Sequence, residues 1–99
     1  MIVMAISRAE RRVERKSRVV ALFGEARAAS VLDLLELTEL AWHDCYGEIT
    51  PSEEIIDDIL LCSEGDMAKL IQAALLAVTD WRDLKLQAQD KRSSGNPRT

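Results

Sequence analysis

Residues 25–46 read EARAASVLDLLELTELAWHDCY. Val31, Leu34, Leu35, Trp42 and Cys45 recur at helical spacing, and Leu32, Leu37, Leu40 and Ala41 widen the apolar stripe. A stripe this broad can touch two neighbouring helices, which makes 25–46 the centre of a helical fold. Gly24 is a stop signal for whatever precedes it. Gly47 stands where a left-handed cap residue is favoured.

Toward the C terminus, Thr50-Pro51-Ser52-Glu53 reads as an N-cap, a proline at the first helical position and a capping-box glutamate. A third helix over 51–62 then turns Ile55, Ile56, Ile59, Leu60 and Cys62 inward. Its acids Glu53, Glu54, Asp57 and Asp58 mostly face out. Ser63-Glu64-Gly65-Asp66 is a short connection, with Gly65 suited to a C-cap and Asp66 to an N-cap. The fourth helix, 67–89, has Leu70, Ile71, Ala74, Leu75, Val78 and Trp81 on its face, and Ala73, Ala74 and Ala77 permit close approach of a neighbour. Lys91–Thr99 has no large apolar residue and is expected to be a disordered tail.

Toward the N terminus, Ser7 can cap a helix over 8–22. Val13 is its only large apolar residue between Arg8 and Arg18, while Val19, Val20, Leu22 and Phe23 supply an apolar patch at its end. Residues 1–24 are therefore either a helix docked by its C-terminal end or a mobile basic arm. The expected fold is all-α: a small antiparallel bundle of three to four helices (8–22, 25–46, 51–62, 67–89), with 25–90 as its body. No segment alternates as a strand would.

The 99 residues are 47% hydrophobic and 30% charged, with a net charge of −4. This composition suits one globular domain with a thin core and excludes a disordered chain. Phe23, Trp42, Tyr46 and Trp81 are all the aromatics, so the core is aliphatic. Met1–Ile6 is apolar but far too short to cross a bilayer, and the basic residues follow it, the reverse of a secretory signal. Two cysteines, Cys45 and Cys62, suit free thiols in a reducing compartment, so a cytoplasmic location is expected.

The charges are sorted along the chain. Residues 8–18 hold Arg8, Arg11, Arg12, Arg15, Lys16 and Arg18 against Glu10 and Glu14, whereas residues 25–66 hold twelve acids against Arg27 alone. A stripe of one sign attracts a partner of the other sign, or is matched within the molecule.

Reactive residues do not converge. His43 and Cys45 project about 200° apart on a helix and cannot form a nucleophile pair. A metal site built from His43, Cys45, Cys62 and an acid lacks close-paired cysteines, and no calcium loop occurs. Helix 51–62, a turn and helix 67–89 have the outline of a helix-turn-helix reader, but Glu64, Asp66, Asp57 and Asp58 would face phosphate. Both tryptophans read more readily as core or interface anchors than as cofactor stackers.

The sequence thus points first to a non-enzymatic interaction module without a cofactor. Its acidic surface, Glu53, Glu54, Asp57 and Asp58, would meet a basic protein or a second copy of the chain. One alternative is a nucleic-acid accessory protein that holds phosphate through Arg8, Arg11, Arg12, Arg15 and Arg18. Another is a small metal-binding or catalytic protein around His43.

Overall fold

The computed structural model describes residues 7–95, and these form five helices: α1 Arg8–Phe23, α2 Glu25–Tyr46, α3 Glu53–Ser63, α4 Met67–Thr79 and α5 Trp81–Gly95. The fold is all-α, as expected, with five helices in place of three or four. The apolar stretch Met1–Ile6 lies outside the described residues, as does the expected tail beyond Gly95. Helix α5 continues through Lys91–Gly95, where the tail was expected to begin.

Local chemistry explains most boundaries. Ser7 closes a full capping box on α1, its hydroxyl accepting from the Glu10 N–H while the Glu10 carboxylate accepts from the Ser7 N–H. Gly24 ends α1 and begins α2, and Gly47 ends α2 in the left-handed conformation. The start of α3 is shifted from expectation. Ser52, not Thr50, is the N-cap, and Pro51 precedes the helix. The Thr50 hydroxyl is used elsewhere, as described below.

The expected helix 67–89 is two helices. Asp80 departs from helical geometry (φ −159°, ψ 81°), and its carboxylate accepts from the Asp83 N–H at 3.3 Å. It therefore ends α4 and caps α5. The buried stripe of α4 also differs from expectation: it runs through Leu70, Ala73, Ala74 and Ala77, and leaves Ile71 and Leu75 exposed. The small alanines let neighbouring helices approach closely, and that rotates the larger residues outward. On α2, Leu37, Leu40 and Cys45 likewise face solvent.

Successive helices alternate in direction. Arg12 of α1 lies by Asp33 and Arg11 by Glu39, so α1 runs against α2. Helix α3 packs on both α4 and α5, and α2 on α1 and α4. The core joins Val19 and Phe23 of α1, Val31, Leu32, Leu35 and Trp42 of α2, Ile55, Ile56, Ile59 and Leu60 of α3, Leu70 of α4, and Leu84 and Ala88 of α5. No helix among the described residues is long and apolar enough to cross a membrane.

Candidate functional site

The positions of Arg8, Arg11, Arg12, Arg15 and Arg18 put them along one side of α1, where an amphipathic helix would carry apolar residues. That side packs on acids. Arg11 forks onto the Glu39 carboxylate at 2.6 and 3.1 Å, and Arg15 Nη1 donates to the same group at 2.8 Å. The Thr50 hydroxyl donates to it at 3.0 Å, and Arg8 stands 3.8 Å away. Arg15 and Glu39 are 2% and 1% exposed, which makes them a buried ion pair at the junction of α1 and α2.

The remaining arginines extend the network. Arg15 Nη2 donates to Glu53 at 2.8 Å, and Arg18 donates to Glu53 at 2.9 Å and also to Asp57. Arg12 bridges Asp33 and Glu36. Burial pushes the Glu39 carboxyl upward, but hydrogen bonds from Arg11, Arg15 and Thr50 outweigh it and hold the group below its ordinary value. Glu53 follows the same pattern, with burial opposed by Arg15 and Arg18.

The four α3 acids read as a docking surface are therefore drawn into the molecule to different degrees. Glu53 and Asp57 are paired with arginines of α1. Asp58, expected to face outward, is buried; it accepts from Arg92 at 2.8 Å and from Lys85 at 3.5 Å. Glu54 stays 82% exposed, with a long contact of 3.4 Å to Lys85. At the far end of α3, Glu64 binds Lys91 at 2.7 Å and Lys69 at 3.0 Å, and these contacts lower its carboxyl to about 2.

Three of the four aromatic side chains meet in one groove of about 400 Å³, lined by Trp42, Tyr46, Glu48, Thr50, Ser52, Ile55, Trp81 and Lys85. Residues 42 and 46 are one helical turn apart, so their rings share a face of α2. The ring centroids are 4.4 Å apart and tilted by 54°. Trp42 Nε1 donates to the Glu48 carboxylate at 2.9 Å, which fixes the ring at the edge of the core. The Tyr46 hydroxyl donates to the Val78 carbonyl at 3.1 Å. Trp81, in the first turn of α5, closes the other side, and its ring lies 5.4 Å from the Arg82 guanidinium carbon. The sequence places Trp42 with Tyr46. It does not place Trp81 with them, because that depends on the helix restarting at Asp80.

The charged side chains lining this groove are Glu48 and Lys85, and Arg82 lies over the Trp81 ring at its edge. Asp80 precedes Trp81 and Asp83 follows Arg82 in sequence, and Glu54 projects from α3 beside Lys85. Flat aromatic faces next to carboxylates suit a cation on an apolar stem, such as a lysine or arginine side chain.

The other reactive residues remain apart. His43 is exposed in the last turn of α2, its Nδ1 3.2 Å from the Glu48 carbonyl oxygen. Cys62 is buried near the opposite end of the bundle, and burial raises its thiol above the ordinary value. Cys45 is exposed, not in the core. Among the described residues, no group of three or more His, Cys, Asp or Glu side chains is placed to hold a metal ion. Comparison with models of known protein families, with curated proteins and with solved structures gives no match for this chain.

Proposed function

We propose that the protein is a non-enzymatic interaction module that docks a basic segment of a partner protein. The observation that carries this reading is the convergence of Trp42, Tyr46 and Trp81 on one groove with Glu48 at its edge. Tryptophan and tyrosine are enriched among residues that dominate binding energy, and the Glu48 carboxylate adds selectivity for a cation. The acids of α3 contribute unequally. Glu54 is the most exposed of them and makes one contact, with Lys85 at 3.4 Å, whereas Glu53, Asp57 and Asp58 are engaged with Arg15, Arg18, Lys85 and Arg92. The docking address accordingly moves from the face of α3 to the groove between α2, α3 and α5.

Phosphate binding through residues 8–18 is the weaker reading. Arg11, Arg12, Arg15 and Arg18 already donate to carboxylates of the same molecule, and a nucleic acid would have to displace those contacts.

The only two tryptophans both line the groove, so intrinsic fluorescence reports directly on it. Titration with an octa-arginine peptide is expected to give a saturable change that weakens as salt is raised. Trp81→Ala should weaken the affinity by about tenfold or more, because the groove loses one wall. An unchanged spectrum, or binding indifferent to Trp81→Ala, would remove this reading.

A further inference from the structure

Helix α2 carries a second stripe that the core does not use. Arg27, Ser30, Leu34, Leu37, Ala41 and Asp44 follow one another at intervals of three and four residues. This is the spacing of the contact seam in paired helices. Leu34 and Ala41 are half-buried and the other four are exposed, Leu37 to 62%. Helix α4 lies along α2 in the same direction. The Tyr46 hydroxyl reaches Val78 at one end of the pair, and Gly65 abuts the Leu22 carbonyl at the other. One flank of α4, with Lys69, Gln72 and Leu76, borders α5. The opposite flank, next to α2, carries Ile71 and Leu75, which are 54% and 60% exposed. Two parallel helices thus share one aliphatic face that nothing among the described residues covers.

This face is complementary to itself when reversed. Consider a second copy turned end for end about a two-fold axis that crosses α2 midway between Leu34 and Leu37. Leu34 of each copy then meets Leu37 of the other, Ser30 meets Ala41, and Arg27 meets Asp44. The same axis brings the Ile71 and Leu75 pairs of the two copies together. Neither Arg27 nor Asp44 has an ion-pair partner among the described residues, so both are available for this contact. Parallel pairing would instead set Arg27 against Arg27 and Asp44 against Asp44.

We propose that the α2/α4 face binds a second copy of the chain, forming an antiparallel two-fold dimer. The stripe from Arg27 to Asp44 is about 25 Å long at helical rise. Two helices at ordinary spacing make the face about 20 Å wide. The contact then buries about 500 Å² on each copy, at the lower limit for a specific interface, so the dimer is weak and concentration-dependent. The aromatic groove lies on the side of α2 turned toward α3 and α5, outside this contact, so the dimer is independent of the docking function proposed above.

Sedimentation velocity over a range of protein concentrations tests the proposal, with circular dichroism as the check on folding. The wild-type protein is expected to shift from monomer to dimer as concentration rises. Leu37→Glu and Leu75→Glu should each stay monomeric with unchanged helix content. Arg27→Glu should weaken the dimer by about tenfold, by placing two acids opposite each other. The double variant Arg27→Glu/Asp44→Arg should recover most of that loss, because the pair is restored with its signs exchanged. A wild-type monomer at all concentrations, a dimer that tolerates Leu37→Glu, or a double reversal no tighter than the single one overturns the proposal.

Discussion

Glu39 shows how the molecule handles its sorted charges. It is a fully buried carboxylate with three hydrogen-bond donors, Arg11, Arg15 and Thr50, and one of these, Arg15, is itself buried. Arg15 Nε is left without a partner, a local cost that the other contacts must exceed. Such a group ties stability to pH. The folded-state pKa of Glu39, and that of Glu53, lies below the ordinary value of 4.5. Their contribution is therefore complete above that pH and is lost as the pH falls through the folded values. Glu64 has the same sign and extends the window down to about 2. Urea midpoints measured against pH should be flat near neutrality and fall steadily below 4.5. A midpoint that holds through that range would contradict the network. Little of this was legible in the sequence. The intervals between the arginines match an inward-facing stripe, but their acid partners depend on the register of α1 against α2 and α3, which no local signal encodes.

At the scale of the element, the connection between α3 and α4 carries two consecutive residues with positive φ, Glu64 and Gly65. The sequence suggests Gly65 as the C-cap. The structure gives that place to Glu64, whose carboxylate reaches Lys69 and Lys91. Gly65 serves another purpose, since a Cβ there would lie 2.7 Å from the Leu22 carbonyl oxygen at the end of α1. Gly65→Ala combines a left-handed backbone with that clash, and should destabilise the fold by about 2 kcal/mol or more in urea denaturation. A neutral result would mean that α1 does not approach this turn. Helices bounded by glycine or a capping box were legible, as Ser7, Gly24 and Gly47 show. The break at Asp80 was not, because the apolar pattern runs on through Val78 and Trp81 without a glycine or proline. Asp80 followed three residues later by Asp83 is the signal that was present. The aromatic groove depends on the same break, since it is the restart of the helix that carries Trp81 to Trp42 and Tyr46.

At the scale of the whole molecule, the charge asymmetry of the chain becomes an internal fastening. Basic α1 lies on acids of α2 and α3, and the basic residues Lys85, Lys91 and Arg92 of α5 lie on acids of α3 and its cap. The aromatic groove keeps one acid, Glu48, and one base, Lys85, in its lining, while an aliphatic face of α2 and α4 remains open on another side. Residues 8–23 are thus a structural helix of the bundle, one of the two states the sequence allowed. The α1–α2 bond is buried, so removing either partner strands the other. A double-mutant cycle isolates this term. Arg15→Met, Glu39→Leu and the double variant, compared by urea denaturation, measure how strongly the two side chains depend on each other. A coupling of about 2 kcal/mol is expected, with the double variant losing clearly less than the sum of the single losses. Additive losses, with a coupling near zero, would contradict a fold in which the basic helix is held by buried pairing with its acidic neighbour.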